Sequence, residues 1–188
     1  MRKILRNRLA LSTVVTTLII LVVSVLLAGV VTYFAINVVS TRVQQESLQI
    51  SLPSVWVDKS GVTQAAMLIT NTGGRDVVIT QIEIRGIAAS GNVYSVINNE
   101  GVVPSTLSAL VAADILTTNP FTNGTIGDLK AASGQLVLPS GDIMCVYITS
   151  PVSISINDVG TTVGMTVFTA QAMYYQETNV KTTSTTIG

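Results

Sequence analysis

The hydropathy pattern divides the chain into two unlike stretches. Residues 9–41 form one uncharged run, dense in Val, Leu and Ile over residues 14–36 and free of Pro. As a continuous helix at ~1.5 Å per residue the run would reach roughly 50 Å, well beyond the ~30 Å core of a bilayer. A secretory signal has an apolar stretch of only about 7–15 residues with a small-residue cleavage site behind it, so this run is predicted to be kept as a helix. Its β-branched residues are no obstacle where lipid or other helices force every backbone group to bond internally. At ~100° per residue, Thr17, Ser24, Ala28 and Ala35 lie within about ±20° of one line, flanked by Thr13 and Thr32. Such a ridge of small residues permits close helix–helix approach, with the hydroxyls bonded back to their own helix. The alternative is a plain single-pass anchor.

After Arg42 the pattern breaks into short alternating segments, which marks a domain boundary. Residues 43–48 are predicted to extend the helix as a polar neck, and Pro53 prevents further continuation. Candidate strands cover residues 54–57, 64–70, 77–85, 93–97, 135–138, 143–149, 152–156 and 163–175, rich in Val, Ile, Thr and Tyr and mostly bounded by Gly, Pro, Asn or Asp. Short strands at this spacing predict an antiparallel sandwich. Asn71, Gly73 and Gly74 between residues 67–70 and 77–80 predict a hairpin turn that carries no ligand. Over residues 103–132 the strand pattern fades. Ser105 is placed to cap a short helix over residues 105–113, and residues 117–127 read as an exposed loop. The Thr-rich end, residues 181–188, is either a final strand or a frayed tail.

Charge adds orientation. Four of the ten Lys and Arg (Arg2, Lys3, Arg6, Arg8) precede the run, whereas all ten Asp and Glu follow it. By the positive-inside rule the leader stays in the cytoplasm and the C-terminal part is exported. That part is mildly acidic, which argues against nucleic acid as a partner. Only 11% of residues are charged, against about 25% in an ordinary soluble domain. An exported surface so poor in charge suits burial against copies of itself, attached glycans, or both.

Candidate chemistry is sparse. The chain has no His, which removes the commonest general base and most zinc and copper sites. Cys145 lies in an apolar run without a basic neighbour and reads as a buried structural thiol. Asp58, Asp76, Asp128, Asp142 and Asp158 occur singly, as turn residues do, without calcium-loop spacing. No catalytic, cofactor or metal site is predicted. Asn123-Gly124-Thr125 is the one N-glycosylation sequon, alternatively a plain Asn-Gly turn. Trp56 is expected in a core between helix and sandwich, with a sugar-stacking platform as the alternative. Adjacent Tyr174 and Tyr175 should face opposite sides of a strand, one packing and one free for a subunit contact.

The basic leader followed by Ala10-Leu-Ser-Thr-Val-Val-Thr-Thr-Leu-Ile-Ile20 resembles the class III signal and helix of archaeal type IV pilins, relatives of the archaellins. The Asn-Thr-Gly turn at residues 71–73 similarly resembles one in immunoglobulin-like modules of archaeal surface proteins, pilins among them. The resemblance implies a leader, residues 1–10, cut between Ala10 and Leu11 by a prepilin peptidase. It implies a filament-core and transmembrane helix with neck over residues 11–48, and an extracellular immunoglobulin-like β-sandwich over residues 49–188. It departs at Leu9, where the family has a basic residue, and at Val15, where bacterial pilins have glutamate. Expected partners are the same chain in a helical homopolymer, an assembly ATPase with its membrane platform, and the membrane before assembly. The expected fold class is α+β, and the expected function is that of an adhesion pilin, without enzymatic activity. An archaellin or a monomeric, membrane-anchored binding module has the same outline.

Overall fold

A computed structural model describes residues 2–43, 45–89, 92–98, 103–121 and 128–188. The chain separates into two compact units, Met1–Val43 and Gln44–Gly188. The first is a single helix, α1 (Arg2–Val43), continuous through the apolar run. It ends short of the expected neck, because Leu48 already begins a strand whose buried position draws the chain into the β unit.

Ten strands build the second unit: β1 (Leu48–Val57), β2 (Thr63–Asn71), β3 (Val77–Ile84), β4 (Ile87–Ala88), β5 (Val93–Asn98), β6 (Lys130–Ala131), β7 (Leu136–Leu138), β8 (Ile143–Thr149), β9 (Thr162–Thr169) and β10 (Met173–Thr182). They form one sheet in the order β4-β3-β9-β10-β1-β2-β8-β5-β6, with β7 also on β3. The protein is therefore α+β, a long apolar helix followed by a β unit. One continuous sheet stands where two separate antiparallel sheets were expected. The junction is β10, whose residues Met173 to Asn179 pair antiparallel with β9. Its end runs parallel to β1, with Val180 beside Val55 and Thr182 beside Val57. No short loop joins these two strands, so hairpin geometry does not dictate their direction.

The sheet folds over a first core that draws Val55, Met67, Val146 and Ile148 from one half and Ile79, Ile84, Met165 and Val167 from the other. Strands β2 and β8 are buried on both faces. Ala65, Met67 and Ile69 serve the first core, whereas Ala66 and Leu68 face a second core with Trp56, Cys145 and Tyr147. This two-sided burial is why residues 65–69 and 143–148 read as continuous apolar runs. Trp56 therefore belongs to a core within the β unit, stacked on Tyr147 with ring centroids 6.5 Å apart, and is 6% exposed.

Residues 103–121 cover this second core. The short helix expected over 105–113 is absent there, and a 3-10 turn forms at Ala112–Thr117 instead. Residues 106–111 take no regular structure, because the sheet's side chains capture their backbone groups. Fully buried Gln64 accepts from the Leu110 N–H at 2.7 Å and donates to the Leu110 carbonyl at 3.2 Å, and the Tyr147 hydroxyl donates to the Ser108 carbonyl at 3.0 Å. Phe121, expected in an exposed loop, is buried in the second core. The tail is held too, with Ile187 in the same core and 1% exposed.

Three further expectations changed. Residues 163–175 are two strands joined by a turn without Gly, Pro or Asn. The Thr169 hydroxyl accepts from the Ala172 N–H at 2.9 Å, and the Thr169 N–H donates to the Ala172 carbonyl at 2.9 Å. Residues 152–156 are not a strand, since the Asp158 carboxylate accepts from the Ser155 N–H and hydroxyl at 2.8 and 2.9 Å and turns the chain into a short 3-10 segment, Ile156–Asp158. Finally, β2 does not pair with β3 across Asn71-Thr72-Gly73-Gly74, because the turn carries the chain from one half of the sheet to the other.

Asn71, 1% exposed, makes that crossing. Its amide nitrogen donates toward the Arg75, Leu138 and Pro139 carbonyls at 2.8, 3.1 and 3.1 Å, and its side-chain oxygen accepts from the Gly73 N–H at 3.0 Å. The Thr72 and Gly73 N–H groups both donate to the Ser47 carbonyl. Gly73 lies so close that a Cβ there would sit 2.7 Å from the Gln45 carbonyl oxygen and 2.8 Å from the Ser47 nitrogen. Both are backbone atoms, which cannot swing aside as a side chain would. Gly73→Ala is expected to destabilise the β unit by about 1–3 kcal/mol, read as a lowered urea midpoint of the full chain in detergent. An unchanged midpoint would mean the turn yields without loss.

Candidate functional site

The residues singled out for assembly all lie on α1. Ala10 and Leu11, the expected cleavage pair, are consecutive residues within the helix, with Leu11 exposed. Thr17, Ser24, Ala28 and Ala35 are exposed along it. The Thr17 hydroxyl donates to the Val14 carbonyl at 2.8 Å, Ser24 to Ile20 at 2.6 Å and Thr32 to Ala28 at 2.7 Å. Thr16 and Thr41 do likewise with the Ser12 and Asn37 carbonyls. These hydroxyls thus enter an apolar environment already bonded, sparing the penalty of burying an unpaired polar group. Gly29, beside Ala28, faces open space, with room for a Cβ.

Around these small residues the helix presents Leu18, Ile19, Ile20, Leu26, Leu27, Val30 and Val31, each more than half exposed. The stretch Leu11–Thr41 is long and apolar enough to cross a membrane. An apolar surface of this extent on a single helix requires lipid or protein against it.

The β unit presents no comparable chemistry among the described residues. No group of three or more His, Cys, Asp or Glu is placed to hold a metal ion. Cys145 is fully buried, and burial pushes its thiol up to about 12, so it stays protonated and inert. Burial also raises the Tyr147 hydroxyl. A cavity of about 260 Å³ beside β3 is lined by residues such as Ile79, Thr80, Gln81, Ala89, Ala132 and Gly134, with no titratable side chain among its described lining. Asn123 lies outside the described residues. Tyr174 packs against the first core, while exposed Tyr175 lies over Gly164 and donates to the Glu177 carboxylate at 2.9 Å.

One group escaped the sequence reading. Asp58, read as a plain turn residue, is 3% exposed and fastens the C-terminal tail. One carboxylate oxygen accepts from the Ser60 and Val62 N–H groups at 2.8 and 2.9 Å. The other accepts from the Ser60 hydroxyl at 2.8 Å and, across the fold, from the Ile187 N–H at 3.1 Å.

No family model and no curated protein matches the chain. Among solved structures, the ligand-binding region of serine-glutamate repeat protein A from Enterococcus faecium is similar at 11% identity and a TM-score of 0.32, over 74% of this chain and 98% of that one. The β-glucosidase DesR from Streptomyces venezuelae is similar at 11% identity and a TM-score of 0.29, over 72% of this chain but 15% of the enzyme. A β-glucosidase from Listeria innocua reaches 7% identity and a TM-score of 0.26, over 73% of this chain and 16% of the enzyme. At such scores none of these carries an argument about what this chain does.

The Asp58 clamp has a pH dependence of defined sign. Burial pushes its carboxyl up, but the Ile187, Ser60 and Val62 donors outweigh burial and hold it below the ordinary value of 3.8. The clamp is therefore at full strength above that value and is lost as pH falls through the lower folded value. Trp56, the chain's single Trp, shares a core with Ile187 and reports the change. Acidification below 3.8 should shift its fluorescence to the red. Asp58→Asn should show a loosened tail already at neutral pH and a flat acid response. An Asp58→Asn protein that titrates like the parent would contradict the clamp.

Proposed function

We propose that the chain is the structural subunit of an archaeal type IV adhesion pilus, exported with its leader in the cytoplasm and polymerised through α1 into an extracellular helical filament for surface attachment. The observation that carries this reading is α1 itself. It combines a cationic leader, a 31-residue uncharged stretch, Leu11–Thr41, and a line of small residues whose Thr17 and Ser24 hydroxyls are bonded within the helix. A plain anchor has no need of that length, whereas a bundle of such helices uses all of it.

In this reading a prepilin peptidase removes residues 1–10 between Ala10 and Leu11, and with them the four leader cations. Those cations would otherwise cost several kcal/mol each to bury unpaired in a filament core. An assembly ATPase and its membrane platform supply the work of extraction. The β unit forms the outer wall, takes no part in catalysis and can carry a glycan at Asn123. Its low charge suits a surface buried against copies.

Ala28→Glu tests the helix contact. A glutamate on the ridge should abolish filaments, because an unpaired carboxylate would be buried at each repeat. Insertion of one acidic residue into the membrane costs only about 3 kcal/mol, so the variant should still reach the membrane fraction with an unchanged β-sheet spectrum. Filaments assembled from Ala28→Glu subunits would overturn the reading.

A further inference from the structure

The length of α1 exceeds what a bilayer can hide. At ~1.5 Å per residue, the 31 residues Leu11–Thr41 extend about 46 Å. Tilting cannot absorb the excess, since the largest usual tilt of about 40° still leaves roughly 36 Å across a core of ~30 Å. Part of this apolar helix therefore stands outside the hydrocarbon.

Three marks decide which part. The leader cations, ending at Arg8, must stay on the cytoplasmic side. Asn37 sets the upper limit, because an amide in hydrocarbon without a neighbouring helix is costly. Between these bounds the run holds just two aromatics, adjacent Tyr33 and Phe34, which are 71% and 69% exposed. Aromatic side chains concentrate at the headgroup level, where a ring meets lipid on one side and water on the other. Counting back about 20 residues from Tyr33, the length that fills the core, reaches Val14. The hydroxyls of residues 14–32 are those of Thr16, Thr17, Ser24 and Thr32, all bonded to carbonyls of their own helix, so this window offers hydrocarbon no unbonded hydroxyl.

We propose that, before assembly, α1 sits in the bilayer with residues 14–32 in the hydrocarbon, Tyr33 and Phe34 in the outer headgroup layer, and residues 35–41 standing clear of the lipid as an exposed helical collar. The partner of the aromatic pair is thus the lipid headgroup layer. The collar carries Ile36, Val38 and Val39, 63%, 42% and 60% exposed, into the aqueous side. This register rests on the membrane-inserted stage of the reading above and is independent of filament assembly. It also leaves residues 9–13 at the cytoplasmic interface, outside the hydrocarbon.

The test uses the full chain in phosphatidylcholine vesicles, with a nitroxide attached to Val22→Cys, Tyr33→Cys or Val38→Cys in turn. Cys145 does not compete for the label, being fully buried with its thiol pushed up to about 12. Accessibility to a water-soluble nickel chelate should rise several-fold from position 22 to position 38, with position 33 between them, and accessibility to oxygen should fall in the same order. A position 38 as shielded from nickel as position 22, or a position 33 as open as position 38, would overturn the register while leaving the helix in the membrane. Nickel access at all three positions would overturn the register together with membrane insertion.

Discussion

The need to keep most of α1 out of water governs the molecule. Nineteen large apolar side chains stand exposed between Leu11 and Val39. Burying each stabilises by about 1.5–3 kcal/mol, so the total is tens of kcal/mol, several times the 5–15 kcal/mol that holds an ordinary domain together. The stability of one ordinary domain could not outweigh such a term. Lipid and neighbouring helices are the environments that can meet it. The internally bonded Thr and Ser hydroxyls suit the helix to either, because they bring no unmet hydrogen bond into an apolar medium.

The β unit solves a separate problem, stability without a disulfide in a chain with one Cys. It does so with two cores back to back on β2 and β8, fastened by buried polar side chains at the places where regular pairing stops. Gln64 holds the covering segment, Asn71 holds the crossing between the two halves of the sheet, and Asp58 holds the tail. Each satisfies backbone groups that strands would otherwise have paired, which lets irregular segments pack over apolar surface.

What could be read in the sequence followed from local physics. The helix was legible because an uncharged run of that length has few alternatives, and β2 and β8 because burial on both faces leaves residues 65–69 and 143–148 apolar. The rest depended on distant partners. Gln64 meets a residue 46 positions away, and Asp58 one 129 positions away, so neither carries a local pattern. Asn71 and Gly73 announced a turn correctly but not which strands it joins, since that depends on β1 and β8 claiming the two sides of β2. The turn at Thr169 was hidden because a hydroxyl does there what Gly or Asn usually does. The line of Thr17, Ser24, Ala28 and Ala35 was legible as helix geometry alone, because their spacing along one helix fixes which face they share.

The most direct test of the account is N-terminal sequencing with intact mass of protein sheared from the cell surface. High-molecular-weight material that begins at or near Leu11, without the four leader cations, is the predicted result. Protein that begins at Met1 and is recovered only as detergent-extracted monomer would contradict the account and make the chain an anchored surface module.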